Sequence, residues 1–384
     1  LVRVTNERAA EGSEAQLTFE ETLGSIDASL SVGAAVLSVV PLQANRELCA
    51  QGVKLVGDGF VLDPQSMMAL EEGARARIAP LLSNRDLVQR PSSRHVIDFA
   101  GLTESEARAA NPVAYQRLFE TVRPKRLQNR DPQRRKGWWL FGRSNEELRE
   151  SIRGLDRFVV TPEVSKFRPF VMIPGGTVPD ASLYVIGSND FYILGVLSSR
   201  CHVTWALKSG GRMGVGNDPR YQAGPTFDPF PFPVCASDMA DRIRELGEQL
   251  DAHRKRQQGL HPGLTITGMY NVLEKLRSGE ALSAKERGIH EQGLVSVLNQ
   301  IHDELDAAVF AAYGWPATLT DEEILEKLVA LNHERAEEEK RGLVRWLRPE
   351  FQNPKGDKAA TQPSLPGTEI KAKKGGKAAK TDRA

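Results

Sequence analysis

The segment "VRPKRLQNRDPQRRKGWWLFGR", residues 122–143, carries eight basic side chains (Arg123, Lys125, Arg126, Arg130, Arg134, Arg135, Lys136 and Arg143) against the single acid Asp131, around adjacent Trp138 and Trp139. Cations at this density suit phosphate oxygens, since each contact releases condensed counterions, and an aromatic ring among them can stack on a base or seat an arginine fork. The ordinary alternative is a solvated loop with one tryptophan in the core. The imbalance exceeds the usual mixing of surface charge, so nucleic-acid contact is the stronger expectation. A membrane surface is the weaker one, because no amphipathic helix accompanies the cations.

A second segment, "SGGRMGVGNDPRYQAG", brings Gly211, Gly214 and Gly216 together with Arg212, Arg220 and Tyr221. It follows a helical pattern rather than a strand and no Lys-Ser or Lys-Thr closes it, so it does not read as a nucleotide-phosphate loop. Its glycines instead let the backbone approach a surface closely, as a groove-reading tip would. "SKFRPF" adds Lys166 and Arg168.

Other chemistries find little support. "NPVAY" at 111–115 lacks the second proline of the Asn-Pro-Pro-aromatic motif that holds a flipped base, and Tyr115 and Phe119 on one helix side explain it as packing. "EEEK" at 337–340 lies in a charged helical pattern with no strand carboxylate upstream and reads as solvated surface. The seven histidines are scattered, His202 beside Cys201 reads as a core residue, and Cys49, Cys201 and Cys235 form no CxxC pair. No Gly-x-Ser-x-Gly elbow is present. No catalytic residue, metal site or bound cofactor is expected, and the cysteine usage points to a reducing cytoplasm.

The elements that must position these segments follow from pattern. The 384 residues are 40% hydrophobic and 26% charged with a net charge of +1, so the chain is globular and its charge distribution, not its total, bears on partners. Residues 1–63 read as β-rich, with strands at "LVRVT", "AAVLSVV" and "GVKLVGDGFVL" and a buried run at 31–42. Asp63 and Pro64 should open a helix through "QSMMALEEGARARIAPLL"; Thr103/Glu106 and Ser144/Glu147 have capping-box spacing ahead of "ESEARAANPVAYQRLFETV" and "NEELRESIRGL". Short strands are expected at "RFVVTPEV", "FRPFVMIP" and "ASLYVIGS", then a helix "DFYILGVLSSRCHVTWALKS". Four amphipathic helices should fill 236–352, with capping boxes at Ser283/Glu286 and Thr320/Glu323, and a disordered Lys-rich tail 353–384. Leu1 and the strand-like start suggest a piece of something longer.

Taken in order, "ANRELCAQGVKLVGDGFVL", "LLSNRDLVQRPSSRHVIDF", "RPKRLQNRDPQRRKGWWLFGR", "VSKFRPFVMIP", "CHVTWALKSGGRMGVGNDPRYQAGPTFDPFPFP" and "AAYGWPATLTDEEILEKLVALNHERAEEEKRGLVRWLRPEFQ" resemble the C-terminal half of MmeI-like DNA methyltransferases, the single-chain type IIG restriction and modification enzymes. The likeness runs over residues 43–352 and is specific as a series. It implies an α+β chain: the end of a methyltransferase domain at 1–63, a mixed α/β target recognition domain at 64–235, and an all-α domain at 236–352. It further implies binding of double-stranded DNA for an adenine-N6 methyltransferase whose S-adenosylmethionine sits in a catalytic domain, because the cofactor loop and the Asn-Pro-Pro-aromatic motif are missing from this chain. A separate specificity subunit docking a methyltransferase through its helices is the alternative. On this reading Arg134, Arg135, Lys136, Trp138 and Arg143 meet phosphates, Arg212, Arg220 and Tyr221 lie near base edges, and Lys166 and Arg168 are secondary contacts.

Overall fold

The computed structural model describes residues 2–8, 16–21, 36–213 and 218–356. Its strands are β1 (Val2–Arg8), β2 (Gln16–Glu21), β3 (Cys49–Gln51), β4 (Val61–Leu62), β5 (Ile78–Leu82), β6 (His95–Ile97), β7 (Arg157–Pro162), β8 (Val171–Pro174), β9 (Val178–Pro179), β10 (Leu183–Ile186), β11 (Arg212–Met213) and β12 (Asp218–Pro219). β1 pairs with β2, and β11 with β12. One four-stranded sheet runs β3-β10-β7-β8, antiparallel throughout; a second runs β4-β6-β5-β9, with β5 and β9 parallel.

The helices before residue 236 are α1 (Pro64–Met68), α2 (Asn84–Val88), α3 (Glu104–Ala110), α4 (Pro112–Thr121), α5 (Arg123–Leu127), α6 (Pro132–Lys136), α7 (Glu146–Ile152), α8 (Phe191–Ser198) and α9 (Arg200–Ser209). After it come α10 (Ser237–Leu260), α11 (Ile266–Ser278), α12 (Ala284–Gly293), α13 (Val295–Tyr313) and α14 (Asp321–Lys340). The architecture is the expected one, a mixed α/β body followed by helices.

Local chemistry divides several expected elements. The helix over "ESEARAANPVAYQRLFETV" breaks because Pro112 offers no N–H; Asn111 ends α3 and caps α4, accepting from the Ala114 amide. Ser199, in extended backbone, separates α8 from α9, and Leu294, at φ 43°, separates α12 from α13. Among the described residues the 236–352 region therefore holds five long helices and the short Pro349–Gln352 rather than four. The capping boxes at Thr103, Ser283 and Thr320 form, whereas Ser144/Glu147 does not: Asn145 stands before α7 in a left-handed conformation and its side-chain Nδ2 donates to the Gln51 carbonyl.

The helix expected from Pro64 to Leu82 stops at Met68, and "IAPLL" becomes β5 because it pairs with β6. The buried strand expected at 31–42 is also corrected: Val36–Ser38 form a 3-10 turn with Leu37 exposed, while 31–35 lie outside the described residues. Of the tail, all but 353–356 lies outside them too.

The division expected after residue 63 cuts through sheets, since β3 and β4 are strands of the two four-stranded sheets. The helices after residue 236 pack closely onto the α/β body. A single apolar core extends from Val36 to Leu328, and α10 seals the edge strand β8: Asp251 accepts from the Met172 amide at 3.1 Å, and Arg254 and Lys255 donate to the Phe170 and Met172 carbonyls. An edge saturated in this way cannot recruit a foreign strand. No helix among the described residues is long and apolar enough to cross a membrane.

Candidate nucleic-acid interface

The basic stretch folds into α5, α6 and the turn after them, and it uses several of its own cations internally. Arg126 is buried, donating from Nε to the Val56 carbonyl at 3.1 Å and from Nη2 to Leu55 at 3.0 Å and Leu140 at 3.2 Å; burial pulls its pKa down. Arg135 donates to the carbonyls of Asn129 (2.7 Å) and Arg130 (3.1 Å), and Arg134 pairs with Asp131 at 3.4 Å. Trp138, expected at the DNA surface, is 3% exposed between Tyr115, Phe119 and Trp139. An indole enclosed by three rings has no face left for a base, so Trp138 belongs to the core. Lys125, Arg130 and Lys136 are exposed, with no side-chain partner among the described residues, and Arg123 lies over Phe119 at 4.7 Å.

The glycine-rich segment forms the β11–β12 hairpin; Gly214 and Gly216 lie outside the described residues. Arg212 is exposed on β11. Tyr221 is fully buried, its hydroxyl 3.1 Å from His202 Nε2 and its ring against Phe170 and Tyr184. Arg168 is buried too, donating to the Pro162 and Pro219 carbonyls and lying over the Tyr221 ring; burial lowers its pKa to about 10. Burial, helped by the Arg168 charge, likewise depresses His202 to about 3 and keeps it neutral. Tyr221 and Arg168 are therefore corrected from contacts to supports that hold the hairpin's base. Lys166 reaches Glu274 (2.6 Å) and Asn271 (3.1 Å) on α11, tying the α/β body to the helices.

Two sequence-distant segments meet through a hydrogen-bonded chain. Arg220 donates from Nε (2.9 Å) and Nη2 (2.7 Å) to Glu163 Oε1; Gln51 Nε2 donates to Glu163 Oε2 (3.1 Å) and to the Ala181 carbonyl (2.7 Å); Arg143 Nη2 donates to Gln51 Oε1. The order Arg143, Gln51, Glu163, Arg220 fixes both guanidinium groups while leaving each with unused donors. Neither Gln51 nor Glu163 stands out in the sequence, because they act only once β3 and β7 flank β10.

Sequence reasoning also missed a cleft of about 940 Å³ between α2, the loop after it and the start of α11, lined by Arg85, Arg90, Arg94, Asp180, Thr265 and Thr267. Its floor is Asp86, which accepts from the Ser83 and Ser92 amides and hydroxyls and from Arg94 at 3.2 Å. Burial alone would raise its pKa; hydrogen bonds from Ser83 and Ser92 outweigh that and hold it at about 2. The Ser83/Asp86 spacing was the available signal, since it forms a capping box on α2.

Other segments resolve as structure. Asn111 donates to the Ala74 and Ala76 carbonyls. The "EEEK" helix, expected to be plain surface, is partly a clamp: Glu338 binds Arg335 and Arg345, and Glu339 accepts from the Gln43 and Ala44 amides. No group of three or more His, Cys, Asp or Glu among the described residues could hold a metal ion.

Residues 42–234, the α/β body just described, match the family model "MmeI, target recognition domain". The chain belongs to this MmeI target recognition domain family. The matched span ends just before α10 and begins in the turn before β3, earlier than the expected residue 64 and in accord with the strands that β3 and β4 give to the sheets. Over 203 residues the chain is 28% identical to DNA methyltransferase A of Bacillus subtilis (strain 168), covering 52% of this chain and 19% of that protein. Its fold is similar, with a TM-score of 0.63 and 18% identity, to a solved structure of the type IIL restriction-modification enzyme MmeI in complex with DNA, over 85% of this chain and 40% of the other. The chain thus spans well under half the length of either relative. Within the MmeI target recognition domain family, the α/β body is the matched unit and α10–α14 extend it.

Proposed function

We propose that this chain reads a short duplex DNA sequence for an adenine-N6 methyltransferase of a restriction-modification system. The observation that carries the reading is the family match over the whole α/β body, 42–234. A methyltransferase that extrudes its target adenine needs a module that holds the flanking duplex and reads neighbouring base edges. Arg143 and Arg220, set by Gln51 and Glu163, suit that role, with Arg212 opposite Pro219 in the hairpin that leads to Arg220. Arg134, Arg135, Lys136 and Lys166 are the proposed phosphate contacts; Arg135 and Lys166 would have to share their donors with the partners they already hold. S-adenosylmethionine and the transfer step belong on this reading to a methyltransferase domain of the parent enzyme, packed beside this chain.

The alternative of a separate subunit docking through its helices is the weaker reading, because α10 and α13 already turn their apolar faces into the shared core. The test is fluorescence-polarisation binding to duplex libraries, with Arg220→Ala in parallel. Preference for particular sequences in the native chain, reduced by about 1 to 3 kcal/mol at one base position in the variant, supports the proposal. Binding of equal strength to all sequences at every salt concentration, or none at low salt with the methyltransferase domain restored, overturns it.

A further inference from the structure

The cleft between α2 and α11 has charge the fold does not use. Arg85 and Arg90 are exposed, and neither guanidinium has an ion-pair or hydrogen-bond partner among the described residues. Arg94 is half committed, bound to Asp86 and the Ser83 and Ser92 hydroxyls. Of the two acids in the cleft wall, Asp86 is 4% exposed at its side chain and saturated by five donors, and Asp180 accepts from the Ser182 amide and hydroxyl. The acids therefore face inward to their own donors and leave the arginine heads outward.

The loop that carries these arginines is held in shape. Asp86 bonds Ser83 before α2 and Ser92 beyond it, closing residues 83–92 into a loop pinned on one carboxylate. On the far wall Thr267 Oγ1 donates to the Val88 carbonyl at 3.3 Å, fixing α11 against α2. Preorganised cations lose less entropy when they engage an anion.

The cleft also continues the surface that carries the hairpin. Asn84, the first residue of α2, donates from Nδ2 to the Val164 carbonyl at 2.9 Å, and Val164 is the bridge partner of Arg220. The cleft wall and the backbone of Arg220 are thereby joined through Val164.

We infer that this cleft is a DNA backbone seat, in which Arg85 and Arg90 contact phosphates of the strand flanking the read bases while Asp86 positions them through the loop. This rests on the proposed DNA-reading function and adds a phosphate-binding surface outside both basic segments prominent in the sequence. The contact is electrostatic, so it is independent of base sequence.

The test compares the full chain with R85A/R90A and with R153A, which also removes a positive charge but from an arginine paired to Glu150 outside the cleft. Affinity for a preferred duplex and for a scrambled duplex is measured across a salt series, with circular dichroism to check folding. The expected result is that R85A/R90A weakens both duplexes by the same factor and flattens the slope of log K against log salt by about 2, while R153A changes neither. An R85A/R90A variant that is folded and binds like the native chain overturns the backbone seat and leaves the DNA-reading proposal standing. Loss of preference without a change of slope also overturns it, since the arginines would then be base readers. A native chain that binds neither duplex, even with its methyltransferase domain restored, removes both proposals together. As a second measurement, R85K/R90K should restore most of the salt slope, since charge rather than fork geometry dominates phosphate attraction.

Discussion

Two arginine-bearing segments of this chain differ in the share of their cations that the fold takes for itself. Residues 123–143 hold eight cations and dominate the sequence, yet Arg126 and Arg135 donate to backbone carbonyls, Arg134 pairs with Asp131, Arg143 donates to Gln51 and Arg123 covers Phe119, which leaves Lys125, Arg130 and Lys136 without a side-chain partner among the described residues. Residues 85–94 hold three arginines, and the guanidinium groups of two of them have no partner among the described residues. Cation density in a sequence is therefore a poor measure of cations available to a ligand. A buried carbonyl without a donor is costly, and an arginine with five donors is the residue best able to meet several at once.

The comparison breaks first at Trp138. Trp138→Ala should lower stability by about 3 to 5 kcal/mol, the cost of truncating a large core aromatic, while the fraction that folds binds DNA with unchanged affinity. Urea denaturation followed by binding at native conditions checks both; a stable variant with weak binding would return Trp138 to the interface. Next comes Arg126→Met, which keeps much of the side-chain bulk and removes the donors to three carbonyls. A loss of about 3 kcal/mol is expected, read as a lower urea midpoint.

The 85–94 segment is probed through its pin. Asp86 has a folded-state pKa of about 2 against an ordinary 3.8, so its ionised form stabilises the fold above pH 4 and that contribution disappears as pH falls from about 4 to 2. Asp86→Asn should cost about 2 kcal/mol at pH 7 and little at pH 2, so the native and variant denaturation midpoints converge in acid. Midpoints that stay equally far apart at both pH values would refute this account. The smallest effect on stability is expected from Lys125→Ala, Arg130→Ala and Lys136→Ala combined. These exposed residues should change it by less than about 0.5 kcal/mol each, and any flattening of the DNA salt slope measures how much of the prominent segment does reach phosphate.

Legibility followed the range of the interaction. Capping boxes at Thr103, Ser283 and Thr320 were readable because donor and acceptor lie within one turn. The break at Pro112 was readable in principle from the missing N–H. The fate of "IAPLL" was not, because its pairing with β6 outweighs local helix propensity. At the candidate interface, Arg143 and Arg220 were named from composition, but Gln51 and Glu163, which set them, were not. Tyr221 was misplaced because a tyrosine in a glycine-rich segment looks exposed until the Phe170, Tyr184 and His202 side chains close around it, and Arg168 because the Pro162 and Pro219 carbonyls that bury its guanidinium are joined to it only by the fold.

The sequence by itself determined that the chain is an α/β body followed by amphipathic helices, with basic segments and no recognisable catalytic motif, since periodicity, caps and motif spacing are short-range properties. Only the tertiary structure decided which cations face outward. That outcome depends on which carbonyls and carboxylates the fold brings within about 3 Å of each guanidinium, and those partners lie up to 197 residues away along the chain.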